Sequence, residues 1–172
     1  VYHMEFEDGK TTKKLEVIGK AKNTGTLITF KPDPEIFRET VEFKTNIIAQ
    51  RLRELAFLNS GLEIVFNDER NTTAEAETFY YKNGVEEFVK QLNKSREPLH
   101  PKPISFRKET KEKLDDKEIE VHVEVVLQYN DSYNDQVLCY TNTIHNPDGG
   151  AHLSGFRSAL TRAINQYAKS NE

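Results

Sequence analysis

Cysteine is nearly absent: Cys139 is the one thiol in 172 residues, so no disulfide can close within the chain, and a reducing, intracellular setting is expected. A lone cysteine in an alternating apolar segment reads as a small buried hydrophobe. No apolar run approaches the roughly 20 residues that cross a bilayer. No basic stretch followed by an apolar one opens the chain, which starts directly on Val1-Tyr2-His3. A soluble, cytoplasmic protein without a membrane partner is expected, and Val1 reads as the middle of a longer protein. The net charge of −4 is no excess of basic residues and argues against a wholly basic nucleic-acid coat, while leaving room for a local basic face. Internal repeats, low-complexity tracts and flexible Gly/Ser linkers are missing. His3, His100, His122, His145 and His152 show none of the paired spacings of a zinc site, and Cys139 has neither a second thiol nor a recognisable base, so neither a metal site nor a thiol nucleophile is expected.

What is present is ordinary globular material, 36% hydrophobic and 30% charged, enough for one core or two modest ones. Tyr2 to Phe6 and Leu15 to Ile18 alternate around the turn signal Asp8-Gly9, which predicts a hairpin. A further strand is expected over Thr26 to Phe30, ended by Pro32 and Pro34. Phe43, Ile47, Ile48, Leu52, Leu55 and Ala56 recur at helical spacing and predict a helix from Phe43 to Phe57, with Lys44, Gln50, Arg51 and Glu54 opposite and Asn59-Ser60-Gly61 closing it. Leu62 to Phe66 and Thr78 to Tyr81 read as a second hairpin. A short helix follows over Val85, Phe88, Val89 and Leu92, with Glu86 and Glu87 at its N-terminus. Pro98, Pro101 and Pro103 force an extended connector, and Ile104 to Phe106 starts a strand. The charge-rich stretch Arg107 to Lys117, including Asp115-Asp116, reads as a solvated loop or hairpin tip. Glu118 to Gln128 alternates as a half-buried strand, with Val137 to Ile144 expected as its partner across the turn Asn130-Asp131-Ser132. After Pro147-Asp148-Gly149-Gly150, a last helix carries Leu153, Phe156, Leu160, Ile164 and Tyr167 as its apolar stripe. The order of elements points to α+β architecture.

Local words in fixed order carry a resemblance. They are Thr24 to Phe30, Arg-Leu-Arg-Glu-Leu-Ala-Phe-Leu-Asn from Arg51 to Asn59, Asp68-Glu69-Arg70, Phe88-Val89 with Leu92-Asn93, Pro98-Leu99-His100, Gln-Tyr-Asn-Asp-Ser-Tyr from Gln128 to Tyr133, Tyr140 to Ile144, and Gly-Gly-Ala-His-Leu-Ser-Gly-Phe-Arg from Gly149 to Arg157. Together these resemble the B subunits of bacterial type II DNA topoisomerases, gyrase and topoisomerase IV. The resemblance implies the C-terminal part of a GHKL-type ATPase domain over residues 1–83, followed over 84–172 by the first part of a transducer domain like domain 2 of ribosomal protein S5. Asn83 and Ala151 depart from the family pattern, which usually has Gly and Thr there. Ala151 removes a hydroxyl that could cap the last helix.

The resemblance also implies roles. Thr26 and Ile28 match positions at the base of an adenine pocket; without it they read as a polar and a core residue of an ordinary strand. Arg157 and Arg162 match a helix lining the cavity through which a DNA duplex passes, where cations contact phosphates without reading sequence; their plain alternative is a solvated helix face. Gly149-Gly150 is a turn in that pattern, although such a pair before a helix also suits a phosphate. The expected cofactors of the full protein are ATP and Mg2+, and its partners a second B subunit, the gyrase A subunit and double-stranded DNA. The family's water-activating, magnesium-binding and γ-phosphate-binding residues have no counterpart in the chain, so no catalytic residue is expected in it, nor ATP hydrolysis by it alone. The rival is a non-enzymatic S5-like nucleic-acid- or protein-binding module, which would bind DNA tightly and salt-sensitively unaided.

Overall fold

The computed structural model describes residues 1–70, 73, 75–114 and 116–171, with the side chain of residue 114 set aside; Asp115 of the expected acidic pair lies outside them. The chain divides into two compact units, Val1–Lys44 and Thr45–Glu172.

The first unit is built on one antiparallel hairpin, β1 (Tyr2–Glu7) and β2 (Lys10–Val17). Its turn works because Asp8 and Gly9 both take positive φ, 50° and 73°, whose twist matches that of the strands. The expected strand over Thr26 to Phe30 is not formed. A strand exists only through a ladder partner, and no described residue of the unit pairs with this one. After it, Asp33 between its two prolines folds a local turn, its carboxylate accepting from the Glu35 N–H at 2.7 Å and its carbonyl from Phe37 at 2.8 Å. Phe30 and Phe43 meet edge to face at 5.5 Å.

The second unit opens with α1 (Thr45–Leu58). Phe43 and Lys44 lie before it, because the helix starts where the Thr45 hydroxyl donates to the Asp68 carboxylate at 2.5 Å. Ala49, Ala56 and Phe57 are buried, whereas Ile47, expected on the same apolar face, is exposed. The buried face lies on the hairpin β3 (Glu63–Phe66) and β4 (Glu77–Tyr80). Phe79 at 1% exposure is the centre of this core, with Ile64, Phe66, Leu52 and Tyr81 around it. Arg53 covers the Phe79 ring at 5.3 Å and pairs with Glu77 at 2.6 Å. Gly61, at φ 81°, ends the helix as a residue beyond a C-cap does.

The short helix α2 (Val85–Leu92) follows. Gly84 precedes it at φ 52° and ψ −118°, and a Cβ there would meet the Phe57 carbonyl at 3.0 Å and Ser60 at 3.1 Å. Glu87 reaches back to the Asn83 N–H at 2.7 Å, satisfying a donor near the helix start.

The longest ladder joins β5 (Ile104–Leu114) to β6 (Lys117–Leu127) in unbroken register. The charge-rich stretch Arg107 to Lys117, expected as a solvated loop or hairpin tip, does hold the tip of a hairpin, with Asp116 at φ 63°, but the stretch is strand as far as Leu114. One face of this ribbon is charged on both strands, so opposite signs align across it, Arg107 with Glu124 at 2.7 Å and Lys111 diagonally with Glu118 at 3.1 Å; Glu109 lies beside His122 at 3.2 Å. β6 pairs with β5 and not with Val137 to Ile144. That segment instead folds on itself as β7 (Tyr140–Thr141) and β8 (Ile144–His145), turned by Asn142 and Thr143 at φ 47° and 69°. The final helix α3 runs from Ala151 to Ser170 behind a Gly150 that offers no side-chain cap. Helices and two-stranded antiparallel sheets together give α+β architecture. No helix among the described residues is long and apolar enough to cross a membrane.

Candidate functional site

Thr26 and Ile28 stand in the irregular segment of the first unit. Both are exposed, Ile28 at 75%, and no described hydrogen bond engages Thr26. Within that unit they present a hydroxyl and an apolar side chain to solvent rather than closing a pocket. Arg157 and Arg162 are on α3 in the second unit.

α3 is 20 residues, about 30 Å at 1.5 Å per residue. It contains no Asp or Glu but carries Arg157, Arg162 and Lys169, in a chain whose net charge is negative. At 3.6 residues per turn the cations spread with the polar side chains over about half of the helix surface, Arg157 and Arg162 standing about 140° apart. Leu153, Phe156 and Leu160 on the other flank are half-covered, Phe156 lying 6.2 Å from Phe106 of β5, whereas Ile164 and Tyr167 are exposed. Arg157 faces Asp135 at 3.6 Å, both largely exposed, a pair of small consequence. Arg162 makes no ion pair among the described residues. Ser158 and Thr161 already donate to the Ser154 and Arg157 carbonyls at 2.9 Å, so what this half of α3 has to offer an extended anion is chiefly the charge of its arginines and Lys169.

Two polar clusters tie the rest of the second unit together. Asn93, at the end of α2 and only 9% exposed, donates to the Gln128 side chain at 2.9 Å and accepts from Asn130 at 2.8 Å. Gln128 donates on to the His100 carbonyl at 2.9 Å. His100 accepts the Tyr129 N–H at Nε2, 3.0 Å, and its Nδ1 lies 2.6 Å from the Lys102 carbonyl. The words Leu92-Asn93, Pro98-Leu99-His100 and Gln128 to Asp131, distant in sequence, are thus one clamp.

The second cluster was not legible in the sequence. Arg51 and Glu54 of α1 pair with each other, the Tyr140 hydroxyl donates to Glu54, and Arg51 donates to the Thr143 carbonyl at 2.9 Å. Burial, then the Glu54 carboxylate, pushes the Tyr140 hydroxyl well above the ordinary tyrosine range. The pattern marked Arg51 and Glu54 only as the polar face of a helix, and no local signal names a partner 86 residues away. At the start of α1, hydrogen bonds from Arg70 and then Thr45 hold the Asp68 carboxyl well below its usual range. Cys139 is buried, as a small hydrophobe would be. No group of three or more His, Cys, Asp or Glu among the described residues is placed to hold a metal ion.

Residues 84–172 match the family model for DNA gyrase B, more than half of the chain. The chain belongs to the DNA gyrase B family. The gyrase B protein of Thermotoga maritima is 44% identical over 98% of the chain and 26% of its own length, and that of Streptococcus pyogenes serotype M3 is 42% identical over 100% and 25%. The Bacillus mycoides relative is 39% identical over 99% of the chain and 40% of its own length. The chain therefore spans between a quarter and two fifths of these gyrase B relatives. Among solved structures, the 43K ATPase domain of Thermus thermophilus gyrase B, crystallised with an aminocoumarin, superposes with a TM-score of 0.73 at 39% identity, covering 98% of the chain and 44% of that domain. The gyrase B protein of Myxococcus xanthus, at 22% identity and a TM-score of 0.75 over 98% of the chain and 47% of its own, shares the fold.

Proposed function

We propose that this chain is the stretch of a type II DNA topoisomerase B subunit, of the gyrase kind, that couples ATP binding and hydrolysis to DNA strand passage and supercoiling. The observation that carries the reading is near-complete coverage of the chain at about two-fifths identity by gyrase B proteins. Residues 1–83 belong to the ATP-binding domain and 84–172 to the transducer, a division supported by the family match beginning at Gly84. Thr26 and Ile28 form one side of the adenine site: a free hydroxyl and an exposed apolar side chain suit one edge and one face of a purine. ATP supplies the energy for strand passage, and Mg2+ accompanies it in the full protein. The donors here do not fit the metal, since no cluster of acids or histidines among the described residues can ligate it.

Arg157 and Arg162 face duplex DNA, reading charge and not sequence, which suits an enzyme that must move any duplex. The partners are a second B subunit, the gyrase A subunit and DNA, in the cytoplasm; alone, the chain does not turn over ATP. The decisive measurement is ATP turnover by the parent protein carrying Arg157→Ala, with and without DNA. DNA stimulation is expected to fall about tenfold, within the usual range of coupling between sites, while basal turnover stays unchanged. Equal loss of both would remove Arg157 from the DNA-facing surface.

A further inference from the structure

Asn83-Gly84, the step that leads into α2, is the one Asn-Gly pair of the chain; the other asparagines all precede residues larger than glycine. Such a step carries chemistry of its own. The backbone nitrogen after an asparagine can attack the side-chain carboxamide, and a glycine has no Cβ to shield that nitrogen. The structure leaves both reactants available. Asn83 is exposed and its side chain makes no hydrogen bond among the described residues, whereas Asn59, Asn93, Asn130 and Asn171 are held by theirs. The Gly84 N–H has only the Tyr81 carbonyl, at 3.4 Å, a long bond with little to lose. What surrounds the step is less tolerant. Gly84 is buried, with so little room that a Cβ would stand 3.0 Å from the Phe57 carbonyl and 3.1 Å from Ser60. The Asn83 carbonyl accepts the Glu86 N–H at 3.2 Å, the Gly84 carbonyl those of Glu87 and Phe88 at 3.0 and 3.1 Å, and Glu87 holds the Asn83 N–H at 2.7 Å. The first turn of α2 hangs on these two residues.

We propose that Asn83-Gly84 is a spontaneous modification site, which closes to a cyclic imide and opens to aspartate or isoaspartate, and that the product loosens the start of α2. In the first step the Gly84 nitrogen loses its proton and bonds to the Asn83 Cγ, the Cγ–Nδ2 bond breaks, and Nδ2 leaves as ammonia. Water then adds to one of the two imide carbonyls and breaks its bond to the Gly84 nitrogen. Nothing is oxidised or reduced, and water is the sole co-reactant. Opening at Cγ leaves aspartate. Opening at the main-chain carbon leaves isoaspartate: the chain then runs through the former side chain, is one methylene longer, and the carbonyl that accepted Glu86 has become a free carboxylate. Gly84 has no room for the longer chain, and either product brings a second carboxylate to the residue whose N–H Glu87 holds. This chemistry is independent of the topoisomerase reading.

The test is timed peptide mapping of the folded, full-length parent protein by mass spectrometry, at neutral and at alkaline pH, with an isoaspartyl-specific carboxyl methyltransferase as the probe for the isoaspartate form. The peptide spanning Asn83 and Gly84 is expected to gain the amide-to-acid mass about tenfold faster than those carrying Asn23 or Asn134, both exposed, as a barrier lower by about 1.4 kcal/mol gives. Conversion should be faster at alkaline pH, where the Gly84 amide gives up its proton more readily. Asn83→Gln, whose longer side chain would have to close a larger ring, should abolish it without changing the stability of the protein. Separated from the unmodified protein, the isoaspartate form should exchange the Glu87 and Phe88 amides about tenfold faster, while β3–β4 exchanges as before. Conversion at Asn83 no faster than at Asn23, or seen only after unfolding in urea, overturns the site. An isoaspartate form whose α2 amides exchange like those of the unmodified protein overturns the effect on α2.

Discussion

The two units differ in what their apolar residues achieve. Every residue of the buried core, Ala49, Ala56, Phe57, Phe79 and Cys139, belongs to the second unit. In the first unit Leu15, Val17, Ile18, Leu27, Ile28 and Phe30 are as apolar, yet each is more than half exposed. The same contrast separates α1, whose inner face rests on β3–β4, from α3, whose stripe runs out to exposed Ile164 and Tyr167. An amphipathic pattern states which face can be buried; burial needs a second surface at the right place. Free energy follows the covered area and not the pattern.

Substitution can break this contrast most sharply at its extremes. Phe79→Ala removes the most buried large side chain, and should cost the second unit about 3–5 kcal/mol in urea unfolding, the range for large aromatic truncations in a core. Leu27→Ala, at a residue 92% exposed, should stay within about 0.5 kcal/mol of wild type. Comparable losses at both positions would mean that Leu27 is covered in solution, and the difference between the units would vanish.

Legibility followed the same division. The hairpins at Asp8-Gly9 and β3–β4, the helices α1, α2 and α3, and the burial of Cys139 come directly from local periodicity and turn chemistry. What periodicity missed was pairing. Thr26 to Phe30 alternates like a strand but has no ladder in its unit, and Val137 to Ile144 alternates like a partner for β6, which β5 had already taken. Counted along the chain, the charge of Arg107 to Lys117 reads as a solvated loop or hairpin tip, and the tip is there; the strand before it is hidden because its signs are matched across the ribbon, Arg107 to Glu124 and Lys111 to Glu118. At the candidate site, Thr26, Ile28, Arg157 and Arg162 came from family words, since neither an exposed threonine nor an arginine on a helix announces a ligand. The Glu54–Tyr140 contact had no local signature at all.

A smaller effect is expected at Asn93. Asn93→Ala would strand the Gln128 and Asn130 side chains that now share its amide, and an unsatisfied buried polar group costs about 1–3 kcal/mol. Asn93→Asp keeps the acceptor for Asn130 but sets a nearly buried carboxylate against the Gln128 Oε1, and should lose at least as much at neutral pH. Chemical denaturation of the three proteins checks the order, and an Asn93→Ala protein as stable as wild type would show that the clamp contributes nothing beyond its shape.

The smallest effect is the most diagnostic of the start of α1. Asp68 is held ionised by Arg70 and Thr45, so its folded pKa lies below the ordinary 3.8. A carboxyl with a depressed folded pKa stabilises the protein above its unfolded value and loses that contribution as pH falls through the folded one. Asp68→Asn keeps the shape and an acceptor for the Thr45 hydroxyl but not the charge. It should therefore be less stable than wild type at neutral pH, with a gap that narrows as the pH drops below 3.8, because only the wild-type residue takes up a proton. Thermal unfolding from pH 7 down to pH 2.5 follows the gap. A gap constant across that range would show that the loss comes from geometry and not from the charge, and would detach Asp68 from the electrostatics of the helix that carries Arg51 and Glu54.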